Sequence, residues 1–153
     1  MLNYKRLWNT VLYNNKKNKY GWTFDSSLGD NGGWVSSTEK VINGNFSNDT
    51  GWTKGAGWTI ANGIASCDGT ASVNTNIAVA LISGAKYLCS IDIVEGTGGG
   101  IKFKLGTTLS AASNTSGTFE VIVTANGTAL AFQSEATFDE SVDNISVREI
   151  NLL

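Results

Sequence analysis

The chain has 153 residues, enough for one well-filled core with an appendage but seldom for two cores. Charged residues make up only 16%, and 18 glycines together with abundant Asn, Ser and Thr fill the deficit, a balance that favours strands and turns over helices. A formal charge of −2 argues against a nucleic-acid partner, and the absence of histidine excludes histidine triads, imidazole acid–base chemistry and ordinary zinc sites.

Residues 1–40 stand apart from the rest. They carry Lys5, Arg6, Lys16, Lys17, Lys19 and Lys40 against Asp25, Asp30 and Glu39, whereas the remainder is net acidic. Tyr4, Trp8 and Val11 or Leu12 fall at helical spacing, residues 13–21 form a solvated basic stretch, and residues 25–33 read as a turn or linker. All five tryptophans, at positions 8, 22, 34, 52 and 58, lie in the first 58 residues. This predicts an N-terminal arm over residues 1–40 with Tyr4, Trp8, Leu12, Tyr13 and Trp22 as anchors for a protein partner, because Trp and Tyr dominate interface energetics. No apolar run approaches the roughly 20 residues that span a bilayer, and the opening residues lack the pattern of a signal peptide. The expectation is synthesis in the cytoplasm and no membrane partner.

From about residue 57 short apolar-alternating runs separated by Gly, Asn, Asp and Ser predict strands near 57–60, 63–68, 71–80, 86–95, 100–105, 117–124, 127–134 and 141–150. In the run at 86–95 Tyr87, Cys89, Ile91 and Ile93 share one face, with Ser90 and Asp92 on the other. Ile101, Phe103 and Leu105 face inward between Lys102 and Lys104, and Phe119, Val121 and Val123 share a face in their own run. Between these runs, residues 95–100 read as a flexible glycine-rich connection and residues 107–118 as a polar loop holding a weak edge strand. Asn126-Gly127 predicts a tight hairpin turn. Cys67 and Cys89 could pair, but synthesis in the cytosol and a sufficient core favour buried free thiols. Together these runs predict an all-β, antiparallel β-sandwich over residues 41–153.

The segment VINGNFSNDTGWTKGAGWTIANGIA at 41–65, through Asn43, Gly44, Asn45, Phe46, Gly51, Trp52 and Trp58, resembles the opening of jelly-roll carbohydrate-binding modules. Asp143, Asn144, Ile145, Ser146 and Val147 are similar to the closing strand of the same modules. The resemblance implies a jelly roll. Such domains recur as accessory parts of glycoside hydrolases and in virion proteins of tailed bacteriophages, so the fold leaves the function open. A short chain with a basic aromatic arm, no catalytic domain and no export signal leads to the expectation of a non-enzymatic virion structural protein. It would be a capsid decoration, head fibre or tail component, made in the host cytoplasm. The arm would bind other virion proteins, and self-association into a homo-oligomer is open.

The alternative is a free-standing glycan-binding module or adhesin for host-surface or mucosal glycans. Trp34, Trp52 and Trp58 would supply its aromatic platform, although core packing is the favoured place for Trp52 and Trp58. Modules of this kind often hold a structural calcium between opening segment and closing strand. The matching positions are Asn43, Asn45 and Asp143, where amides stand in place of stronger carboxylates and turn hydrogen bonding is the favoured role. Asp92, Glu95, Glu120, Glu135, Asp139, Glu140 and Asp143 could in principle supply a glycosidase pair, but none sits in a catalytic motif. The GTGGG run lacks the Lys-Ser/Thr of a phosphate loop, and the sequon at Asn48 has no secretory route to support it.

Overall fold

A computed structural model describes residues 22–25, 33–69, 74–77, 79–94 and 98–152. Its organising strand is β7 (Lys86–Ile93), where period-two alternation puts Tyr87, Cys89, Ile91 and Ile93 inside. β7 lies between β10 (Gly117–Thr124) and β12 (Ser141–Leu152), both antiparallel to it. The far side of β12 is shared by two hairpins. Its N-terminal part pairs with β5 (Ile64–Cys67), which pairs with β4 (Trp58–Ala61). Its C-terminal part pairs with β2 (Gly33–Glu39), which pairs with β1 (Trp22–Asp25).

The second sheet runs in the order β3 (Trp52–Thr53), β6 (Asn74–Ile77), β11 (Leu130–Ser134), β8 (Ile101–Leu105), β9 (Thr108–Leu109), again antiparallel throughout. The described residues contain no helix, and the two sheets face each other as a β-sandwich. Burial along β8 reads inward for Ile101, Phe103 and Leu105, with both lysines outward, as the alternation requires.

The core between the sheets holds Phe103 stacked on Phe119 beside β7, at 6.2 Å, and a larger aromatic cluster at the other end. Phe132 is the hub of that larger cluster. Its ring centroid lies 4.9 Å from that of Trp58, 5.5 Å from Trp52 and 6.2 Å from Phe46, all in edge-on arrangements. Phe138 stacks on the other side of Trp58 at 5.8 Å. Among the described residues every member of this core lies between Val41 and Val147. Cys67 and Cys89 are buried and unpaired within it.

Two local readings are corrected. Residues 22–25 and 33–39 lie in the stretch read as an arm, yet they form strands that extend the first sheet. The cause is the length of β12, which runs on after its pairing with β5 ends and offers a ladder to β2. Asn126-Gly127 does not close a hairpin, because β10 and β11 belong to different sheets and this segment crosses between them. The Asn126 side chain instead caps the β8–β9 turn, its Oδ1 accepting from Thr107 N–H at 2.7 Å and Thr108 N–H at 3.1 Å. Gly106, at φ +68°, makes that turn.

Candidate functional site

The two motif segments meet. In β12 the register against β7 shifts between Asp143 and Ser146, and Asn144 adopts a left-handed φ of +50°. Asp143 Oδ1 accepts the Asn144 N–H at 2.7 Å, while the Asn144 amide donates to Asp92 Oδ2 at 2.9 Å. The bulge turns Ile145 into the core and aims its N–H at Gly44 O, 2.9 Å away. A Cβ on Gly44 would stand 2.0 Å from Ile145 O, so only glycine lets the opening turn seat here.

Asn43 holds that turn together. Its carbonyl accepts from Phe46 N–H at 3.2 Å and from the Trp52 indole N–H at 3.1 Å. Phe46 enters the core fully buried beside Trp52. The Asn43 side chain donates to Asn48 O and accepts from Ser47 Oγ at 2.8 Å, and Asn45 Oδ1 accepts from Ser47 N–H at 3.3 Å. The amide oxygens proposed for calcium are therefore committed to the turn. Asp143 is committed to its own bulge, and no group of three acidic or sulfur ligands occurs among the described residues. Asn43, Asn45 and Asp143 form a structural clasp, and as placed they do not fit the six to eight oxygens calcium takes.

Of the other acids considered for glycosidase chemistry, Glu140, Glu135 and Asp92 are similarly engaged, whereas Glu120 and Asp139 are exposed. Glu140, buried, accepts from Gly98 N–H at 2.7 Å, and Glu135 accepts from Gly100 N–H at 3.0 Å while pairing with Lys102 at 2.6 Å. The Lys102 hydrogen bond and the Gly100 N–H hold the Glu135 carboxyl below the usual carboxylate range. Asp92 accepts from Thr118 Oγ1 at 2.6 Å as well as from Asn144. Gly98–Gly100, read as flexible, is packed tightly: a Cβ on Gly98 would meet Thr137 O at 2.0 Å. Residues 95–97, with Glu95, lie outside the described residues.

Trp52 and Trp58 are 8% and 4% exposed, so neither presents a flat face to a sugar. Their indole N–H groups are turned inward to Asn43 O and Ser134 Oγ, which explains how two tryptophans fit a closed core. Trp34, in β2, is half-buried. Tyr4, Trp8, Leu12 and Tyr13 lie outside the described residues; Trp22 is placed in β1 by its backbone alone.

What the sequence left unnoticed is an outer polar face on the second sheet. Lys104, Asn76 and Thr53 stand in register with the exposed Leu109 and the buried Ala131, which lies between Lys104 and Asn76, and Lys102 and Gln133 pair in another row. Alternation marked the lysines as outward, but only strand order shows which polar residues become neighbours.

No protein-family model matches the chain, and no curated protein matches it either. Among solved structures it is similar to a CBM4 module, with a TM-score of 0.46 and 14% identity over 71% of this chain and 99% of that one. It is similar to the enzymatically active domain of tailspike protein 4 of bacteriophage CBA120, at 0.46 and 13%, over 72% of this chain but 21% of that one. A third likeness is to the CBM1 module of BiXyn10A in its apo form, at 0.40 and 14%, over 89% of this chain and 100% of that one. The sandwich itself stands on the strand pairing described above.

Beyond the clasp, Glu39 is a structural residue that sequence reasoning passed over. Its carboxylate accepts from Val41 N–H at 3.0 Å and Val147 N–H at 2.7 Å, and from Ser146 Oγ, tying the entrance of the sandwich to its last strand. Nothing in the local sequence distinguishes it from a solvated glutamate. Among the described residues no helix is long and apolar enough to cross a membrane.

Proposed function

We propose that this protein is a non-enzymatic structural component of a bacteriophage virion, a capsid decoration, head fibre or tail part. It would be made in the host cytoplasm and attached through residues ahead of β1. One observation carries this reading: among the described residues the main core runs from Val41 to Val147, so β1 and β2, which follow the basic aromatic segment, contribute none of its members. This reading assigns Tyr4, Trp8, Leu12 and Tyr13 as the anchors, in a segment rich in Lys and Arg that precedes β1. The sequence resemblance to modules recurring in tailed-phage virions supports the same reading. So does the commitment of Glu135, Glu140 and Asp92 to backbone and side-chain hydrogen bonds, which leaves them poorly placed as an acid–base pair. The test is mass spectrometry of purified particles carrying either the full chain or a variant lacking residues 1–21. The full chain should co-purify with particles and the shortened, folded variant should not; a full chain absent from particles overturns the proposal.

A second reading, a free-standing glycan-binding module or adhesin, is favoured by the outer face of the second sheet. There Lys104, Asn76 and Thr53 in one row, with Lys102 and Gln133 in another, offer donors and acceptors suited to sugar hydroxyls. On a glycan array this reading expects binding that falls at least tenfold in Asn76→Ala or Gln133→Ala. Binding unaffected by both changes would remove this face as the site.

A further inference from the structure

Strand β10 is eight residues long and, among the described residues, pairs only with β7, in an unbroken register from Gly117↔Ile93 to Thr124↔Lys86. The other outer strands are short: β1 and β4 have four residues each, β3 and β9 two each. Exposed edges are normally blunted by proline, lysine, a bulge or brevity, since their free N–H and C=O groups invite pairing with another chain. The sequence GTFEVIVT has none of these and a single charge, Glu120. Apolar surface lies on both faces of this edge: Phe119 and Val121 are half-buried on the core side, and Ile122 is 38% exposed on the outer side.

We propose that β10 is the seam of a two-fold dimer, in which it pairs antiparallel with β10 of a second copy about Ile122. Charge complementarity selects the second copy as the occupant. With Ile122 opposite the partner's Ile122, Val121 meets the partner's Val123, and Glu120 stands opposite the partner's Thr124. Next to that threonine, one strand further on, lies the partner's Lys86, because Thr124 and Lys86 are paired within each chain. Two strand spacings are about 9.6 Å, within the joint reach of a glutamate and a lysine leaning across a small threonine. Symmetry supplies the contact twice.

Both groups are exposed and, among the described residues, neither makes an ion pair; Glu120 is opposite Ser90 and Lys86 lies four positions along. The two copies of Glu120 stay about 13 Å apart along the strands, so the register avoids its own like-charge clash. Backbone hydrogen bonds supply the affinity of such strand addition, and the side chains fix its register. This dimer stands on β10 alone and does not depend on the virion reading.

Sedimentation equilibrium of the full chain tests it. The apparent mass should climb with concentration from 16.2 kDa towards twice that value. Glu120→Lys, which sets lysine against the partner's Lys86, should weaken the dimer about tenfold, and Glu120→Lys combined with Lys86→Glu should restore it to within about threefold. Ile122→Lys should abolish the dimer while leaving the thermal midpoint of the monomer unchanged. A wild-type chain that stays monomeric throughout overturns the proposal, and so does a dimer that is indifferent to Glu120→Lys or is not rescued by the charge swap.

Discussion

The two faces of β7 are buried by different means. On the inner face Tyr87, Cys89, Ile91 and Ile93 are covered by the second sheet and none is more than 2% exposed. On the outer face Leu88 is 5% exposed, in a separate small cluster with Val35 of β2 and Ile150 of β12. The inner face belongs to a core that, among the described residues, lies within 41–147; the outer cluster exists where β2 has joined β12. The contrast separates what makes the sandwich from what the N-terminal region adds to it.

The largest effects should come from the inner core. Phe132→Ala removes the ring against which Phe46, Trp52 and Trp58 all pack, and should cost about 4 kcal/mol in denaturant unfolding. A loss under about 1 kcal/mol would show that the aromatic end is loosely packed. Next is the seam between opening turn and closing strand. Gly44→Ala forces a methyl against Ile145 O and should cost about 3 kcal/mol, because a backbone carbonyl in a paired strand cannot swing away as a side chain can.

The outer cluster should be worth less. Removing residues 1–40 exposes Leu88 and Ile150 and should destabilise the domain by about 2 kcal/mol relative to a chain beginning at residue 33. Equal stability of the two would mean that β2 decorates the sheet without supporting it, and the contrast between the faces of β7 would collapse. Unfolding of the shorter chain would show that the inner core is less self-sufficient than its membership suggests.

These distinctions were only partly legible in the sequence. Period-two alternation located β7, β8, β10 and the strands around Trp58 and Ile64, since a strand with one wet face must alternate. It also gave the inward set of β8 residue by residue. β2 was hidden because GWVSSTE offers one small apolar residue to the sheet, and its support comes from a ladder on β12, more than a hundred residues away. Asn126-Gly127 misled because the dipeptide carries turn chemistry without saying which strands it joins. The motif at 143–147 was visible as a pattern, but its role was not. The left-handed Asn144 and the inward turn of Ile145 onto Gly44 require knowing that the two ends of the domain touch. The buried indoles likewise needed their acceptors, Asn43 O and Ser134 Oγ, neither of which lies near them in a predictable way.

The outer face of the second sheet sharpens the same contrast from the other side, since it is held by charge where the first sheet uses apolar packing. Lys102 there reaches Glu135, whose second oxygen accepts from Gly100 N–H. Both contacts favour the ionised carboxylate, so the Glu135 pKa is lower in the folded than in the unfolded chain. A depressed carboxylate stabilises the fold above the unfolded value of about 4.3, and that contribution disappears as pH falls through the folded value. The Glu135 side chain is 41% exposed, and solvent screening limits the effect to about 0.5 kcal/mol. Lys102→Met should therefore reduce by about that amount the stability lost between about pH 7 and pH 3, measured as the shift in urea midpoint at each pH. If wild type and variant lose the same amount, the ion pair is ornamental, and the second sheet's outer face is held by its strand ladder alone.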